Sequence, residues 1–497
     1  MYCHPTRANP VRLLCRLGLP VLLIISSWLG LAVRAASAQT FDAFSALRSE
    51  REVSALPGDP VVDLCVDTDT AAALENPLAL GDAIKMALCR NPRARQAWHE
   101  MAAQAALVGA SKSAFLPSFS AGLSKSYDVL RNVGSTASSN EPKQINGASF
   151  TLSWLLLDFG ARAANVEQAQ QNLAAALAAR DGLLQQLFAA AAQAWYEAAA
   201  AQASVLAATQ AEATARESAV AAEFKSQRGA ATVVDALQAR TAFSQATLAR
   251  VRAEGQARSA MGALAHTIGI DVRSPLKLAG DAALDPASTL DAVPVDAFLQ
   301  NLDQLIEQAQ TTHPSLLAAR AQVAAAEARL VATHAEGFPT INLTHSNFMN
   351  GRPGTTLPTS KTHEHITAIT LSFPIFEGLS RTYRMHEQRA QIEARRAELA
   401  GQQSQVAFEI WRSFEALQVE SASLKASADL MRSASESLQA AQARYQAGAA
   451  DTLELLNAQK DEANARQERI QALASWRLSR LRLLAGLGRL GFWALGA

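Results

Sequence analysis

Aromatic side chains make up only 6% of this chain, and proline and glycine are sparse, at 17 and 25 of 497 residues. A chain so poor in helix breakers and large rings does not read as a string of ordinary globular domains. Hydrophobic residues nonetheless reach 49%, much of it alanine, which is the composition of long helices packed closely through small side chains. Neither sign of charge is in surplus, since 45 basic residues balance 45 acidic ones. That balance supplies no basic field for a nucleic acid and no acidic solvating tail, so no nucleic-acid partner is expected. Cysteine is scarcest, with four in the whole chain.

The first 38 residues have the layout of a secretory signal. Arg7, Arg12 and Arg16 precede a mostly apolar stretch broken by Gly18, Pro20 and Gly30, and Ala36, Ser37 and Ala38 follow. Cleavage is expected between Ala38 and Gln39. A single membrane-anchor helix is the alternative, and the short, interrupted run argues against it. A lipid anchor would need a cysteine after the apolar stretch, whereas Cys15 precedes it. Cys3 and Cys15 leave with the signal. Cys65 and Cys89 remain as a pair that an oxidising compartment would allow, although spacing alone does not bring them together. Past the signal no apolar run is long enough to span a bilayer as a helix, so any contact with membrane must be made by strands.

The rest of the chain repeats itself. ALCRNPRARQAW (87–98) aligns with AQTTHPSLLAAR (309–320), setting Pro92 opposite Pro314, and Pro117 and Pro339 follow at equal intervals. TLSWLLLDFGAR (151–162) aligns with TLSFPIFEGLSR (370–381), so Asp158 matches Glu377 and Arg162 matches Arg381. The offset then stays constant through Gly229 and Gly448 to Gly269 and Gly488. The expected plan is a signal (1–38), a lead-in (39–77), a first repeat (78–269), a linker (270–301), a second repeat (302–488) and a short tail (489–497). Each repeat reads as a helix (78–113, 302–336), a strand pair (117–157, 339–376), a long helix, a tip at Gly229 or Gly448, and a return helix.

The strand pairs alternate with period two. Phe119, Ala121, Leu123 and Tyr127 point one way, with Lys125 breaking the series, and Ser118, Ser120, Gly122, Ser124 and Ser126 point the other. Phe150, Leu152 and Trp154 alternate with Ser149, Thr151 and Ser153, and Ile369, Leu371 and Phe373 with Thr370 and Ser372. Apolar on one face and small-polar on the other suits a strand between lipid and a watery lumen. Trp154 and Phe373 stand where an interfacial aromatic belt would sit. A soluble half-buried hairpin is the plain alternative for either pair alone; two matched pairs between very long helices favour the membrane. Four strands cannot close a barrel, and open sheet edges are not tolerated in lipid, so several chains must pool their strands.

Residues 162–226 and 381–446 contain no proline and almost no glycine, and each arm could reach roughly 100 Å as helix. The second carries a seven-residue stripe, Ile410, Leu417, Leu424, Met431, Leu438 and Tyr445, which implies supercoiled helix partners. Gly229 and Gly448 end the arms and permit the positive-φ turn that reverses the chain, and Thr232 and Asp451 start the return helices.

Carried by these residues, the duplicated proline near each first helix (Asn91-Pro92, with His313-Pro314 departing), the Pro stops before the strands and the two glycine hairpins, the chain resembles the TolC family of outer-membrane channel proteins. The likeness runs over residues 78–488 and leans toward the type I secretion branch. It implies an α+β membrane protein that forms a homotrimer, with twelve pooled strands in one outer-membrane barrel above a long α-helical coiled-coil tunnel in the periplasm. It implies a periplasmic adaptor (a membrane fusion protein) at the tips Gly229 and Gly448, and an inner-membrane ABC transporter or other pump beyond it. Matching the family's entrance, Asp235 and Tyr445 become the expected gate, a tyrosine hydroxyl donating to a carboxylate. Glu454 becomes the expected acidic selectivity ring. The family's latch arginine is Ala450 here, and the second acidic ring is Asn457. The plain alternative for Asp235 and Glu454 is a solvated helix face, and for Tyr445 the last place in the stripe.

Other chemistry is thin. His363-Glu364-His365 lacks the helical two-histidine spacing of a metal site, and no phosphate-cradling loop or nucleophile set stands out, so neither enzyme activity nor cofactor is expected. The expected function is passive export of a type I secreted protein. Multidrug efflux is the alternative within the class, and a periplasmic coiled-coil adaptor without a pore the alternative outside it.

Overall fold

The computed structural model describes residues 44, 77–128, 143–279, 302–350 and 362–491. The expected signal, its Ala38–Gln39 cleavage site, Cys65, the linker from 280 to 301 and the loops between paired strands lie outside them. Cys89 is disulfide-bonded, and its partner also lies outside the described residues.

The same run of elements occurs twice. In the first half α1 (Leu80–Arg90) and α2 (Pro92–Ser113) lead to β1 (Ser118–Asp128) and β2 (Lys143–Leu157), then to α3 (Ala161–Gln227) and α4 (Val233–Thr267). In the second, α5 (Leu302–Thr312) and α6 (Pro314–Ala335) lead to β3 (Thr340–Met349) and β4 (His363–Ser372), then to α7 (Ser380–Gln446) and α8 (Thr452–Gly486). Both long arms have 67 residues and both return helices 35.

The first helix of each half differs from the expected 78–113 and 302–336: each is two helices, broken before proline. Proline disfavours helical backbone in the residue before it. Asn91 accordingly sits at φ −61°, ψ 127° and caps α2, its side chain accepting from the Arg93 amide. His313 does the same for α6 at φ −67°, ψ 126°, accepting from the Ser315 amide. The apolar pattern continues across the break, which hides it from periodicity alone.

The four strands form one antiparallel sheet in the order β1-β2-β3-β4. Because directly paired residues share a face, the register Phe119↔Leu152, Leu152↔His345 and His345↔Thr367 joins the apolar positions of all four strands. On that face Phe119, Leu123, Tyr127, Phe150, Ile369 and Leu371 are exposed, Leu123 by 91%. The opposite face presents Ser120, Ser149, Thr151 and Ser346, with Thr151 and Ser346 hydroxyls 3.2 Å apart. No protein layer covers either face among the described residues. β4 stops at Ser372, short of the expected 376, because Pro374 cannot donate to the ladder. β2 runs past Trp154 to Leu157, and the Trp154 indole donates to the Phe115 carbonyl at 2.9 Å.

The sheet joins the helices through charged corners. Arg162, nearly buried, donates to Asp158 at 3.0 Å and to the carbonyls of Leu155, Leu156 and Ala114. The corner of the second half is wired differently. Glu377 pairs with Arg384 at 3.5 Å rather than with Arg381, whose Nη1 is buried against Gly337 without a partner.

Further along the arms, α3 packs against α4, α6 and α8, while α7 packs against α6 and α8, so the two halves interlock. Phe188 and Trp195 of α3, Ile410 and Leu417 of α7 and Leu473 and Leu483 of α8 form the main core. Here α4 and α8 end on Gly269 and Gly488, where an added Cβ would come within 3.0 Å of Arg90 and within 2.8 Å of Pro314. The return helix of each half thus closes onto the proline break of its own first helix. Toward the tips the buried positions of α7 shift from Ile410, Leu417 and Leu424 to the smaller Ser427, Ala434 and Ala441, and Met431 and Leu438 are only half-buried.

Candidate functional site

The sequence places its candidate gate and selectivity residues at the two hairpin tips, where the arms reverse. Both turns are built alike. The Ala230 amide reaches back to the Lys225 carbonyl at 2.9 Å and the Ala449 amide to that of Arg444 at 2.8 Å, around Gly229 and Gly448 with φ of 73° and 74°. This six-to-one closure needs a left-handed residue, which glycine supplies without strain. A Cβ on either glycine would meet nothing within 4 Å, so the tips are open to a partner.

The return helices start differently, and the difference sets the charge of the site. Thr232 caps α4 with its hydroxyl, accepting from the Asp235 amide at 3.1 Å, and Asp235 answers by accepting from the Thr232 amide and hydroxyl at 2.9 and 2.7 Å. The Thr232 hydroxyl, then its amide, hold the Asp235 carboxyl below its ordinary range. In α8 the cap is Asp451, which accepts from the Glu454 amide at 2.7 Å but has no hydroxyl to offer in return. Glu454, beside a cap that is itself a carboxylate, instead pairs at 2.9 Å with Arg444, on the other helix of the hairpin. Arg444 also donates to the Ala449 carbonyl at 3.3 Å.

The expected gate pair is not brought together within one protomer. Asp235 is occupied by its own cap, and the Tyr445 ring lies under the Lys225 ammonium, 3.8 Å from its centroid. Lys225 and Arg444 occupy equivalent positions of the two halves, yet one reaches across to the other hairpin and the other stays on its own. Behind the tips a small cluster of Ala222, Ala239 and Leu456 closes the core, and Gln459 donates to Ser218 at 2.9 Å between α8 and α3. Phe224, Val233, Val234, Leu237 and Leu453 are exposed around them. Sequence reasoning missed Arg444 and Lys225. The signal available was an arginine ten residues before Glu454 across a glycine turn, next to a cap residue unable to hold that glutamate.

Among the described residues no group of three histidine, cysteine, aspartate or glutamate side chains could hold a metal ion. His363 and His365 stand on one face of β4 and Glu364 on the other. No described helix is long and apolar enough to cross a membrane.

Comparison with known proteins agrees with this architecture. The family model for the outer membrane efflux protein matches residues 83–270 and 305–489, one stretch in each half. Protein CyaE of Bordetella pertussis is 31% identical over 414 residues, 83% of this chain and 85% of the relative. Among solved structures, the outer membrane protein VceC of Vibrio cholerae has a TM-score of 0.68 at 18% identity, covering 82% of this chain and 96% of that one. The MtrE outer membrane channel of Neisseria gonorrhoeae has 0.67 at 21%, covering 82% and 88%, and CusC 0.67 at 20%, covering 82% and 91%. The chain belongs to the outer membrane efflux protein family, as a TolC-like channel protein of the outer membrane that extends into the periplasm.

Proposed function

We propose that three copies of this chain form an export duct: twelve pooled strands make one barrel in the outer membrane, and six long hairpins make the tunnel below it. The observation that carries this reading is the four-stranded sheet with an exposed apolar face and outer strands, β1 and β4, that have no further partner among the described residues. Lipid does not tolerate such edges, and neighbouring copies can supply the missing strands. The half-buried Met431 and Leu438 and the exposed tip residues Phe224, Val233 and Leu237 suit burial against other copies or an adaptor.

In this reading the adaptor meets the tips at Gly229 and Gly448, and an inner-membrane ABC transporter or other pump delivers the cargo. Asp235 and Tyr445 act as gate residues between copies, and Glu454 lines the narrow mouth. The likeness to Protein CyaE favours the type I secretion branch, with a secreted protein as cargo, whereas the family's own description, an outer membrane efflux protein, favours efflux, for which multidrug efflux is the alternative reading. Deletion of the gene separates the two. Loss of a large protein from the culture medium supports secretion, and greater drug susceptibility with an unchanged secreted profile supports efflux. The pore itself is tested by purified protein in planar bilayers, where discrete conductance steps are expected and their absence would remove the duct.

A further inference from the structure

Two sequence features remain outside the duct: Lys125, which interrupts an apolar strand face, and the histidines of His363-Glu364-His365. The register unites them. Lys125 of β1 and His363 and His365 of β4 stand on the same sheet face as Phe119, Leu123, Phe150, Ile369 and Leu371, and all three are exposed. No carboxylate stands on that face in any of the four strands, and Glu364 lies on the opposite one. The face is therefore apolar near the strand bases and carries a lysine and two imidazoles toward their far ends.

Height along the strands sharpens the point. Lys125 is seven residues beyond Ser118, the base of β1, and His365 is seven before Ser372, the base of β4. At about 3.4 Å per residue and a tilt of roughly 45°, both lie some 17 Å above the base of an apolar band about 25 Å tall. That is the outer third, within reach of headgroups for a side chain that extends toward the interface. Within one copy β1 and β4 are the two edges of the sheet. Closing the barrel, a step that rests on the trimeric duct proposed above, sets β4 of one copy beside β1 of the next, and so gathers Lys125, His363 and His365 at the seam.

We infer that this seam binds the phosphate groups of anionic lipids in the outer leaflet, one cluster at each junction between copies. Lys125 supplies the complementary charge and is long enough to reach the headgroups from the outer third of the band, and the imidazoles of His363 and His365, with Asn146 and Asn347 on the same face, add hydrogen-bonding capacity beside it. Such a cluster would also hold the junction, since one anionic headgroup contacts two chains.

The test compares lipid retained by purified protein after reconstitution with bisphosphorylated lipid A or with its dephosphorylated form. Wild type should retain the phosphorylated lipid with about fivefold preference, the effect of one lysine beside an anionic headgroup. Lys125→Ala/His363→Ala/His365→Ala should lose that preference, and Lys125→Arg/His363→Lys/His365→Lys should keep it, each judged on protein still trimeric by heat-modified electrophoresis. Equal retention of both lipids by trimeric wild type, or an undiminished preference in the trimeric alanine variant, would overturn the inference while leaving the duct standing. Wild type that is not trimeric would overturn both.

Discussion

Arg444 decides how much negative charge Glu454 presents. The pair is exposed on both sides, so its contribution to stability is small, about 0–1 kcal/mol, but its effect on the local potential is not. Glu454→Gln should lower cation preference, and Arg444→Gln should raise it, both read as reversal potentials under a salt gradient. A ring that ignored both changes would not be at the mouth. His313 offers a second residue-scale expectation. Burial holds its imidazole below the ordinary value, only partly offset by Glu409, and the neutral ring is the acceptor that caps α6. The unfolded chain takes up a proton near pH 6.5, so this stabilisation is complete above that pH and is lost as pH falls below it. The melting temperature should therefore drop between pH 7 and pH 5, and His313→Asn, which copies Asn91 of the first half, should reduce the drop.

At the scale of elements, the turns and corners carry the architecture. Gly448→Ala places a side chain in the left-handed region, at about 1–2 kcal/mol, and amide exchange at the second tip should quicken while the core near Ile410 stays protected. The Asp158–Arg162 pair is nearly buried, at 9% and 11% side-chain exposure, so Asp158→Ala leaves the guanidinium on its three carbonyls without a counter-ion and should cost about 3 kcal/mol. Limited proteolysis should then cut near the base of α3. Much of this layer was legible in the sequence, because Gly229, Gly448 and proline-free arms of equal length leave few alternatives. The breaks at Asn91 and His313 were not, because apolar spacing continues through them and only the prolines mark the spot. Nor were the Arg444 and Lys225 contacts, which depend on which cap releases its neighbouring acid and on how two hairpins pack. Asp235 and Tyr445 were matched by family position, and within one protomer each has a different partner.

For the whole molecule, the proposed duct treats one chain as an unfinished object. Its sheet exposes apolar side chains on one face, small hydroxyls on the other, and at each edge a strand whose outer side has no partner among the described residues. The family membership accounts for the outer-membrane address and the periplasmic extension, and the open sheet is what the proposed further copies would complete. The most direct test is the native mass of the intact particle extracted from outer membranes in mild detergent. Three chains per particle are predicted; a particle containing a single chain would contradict the account.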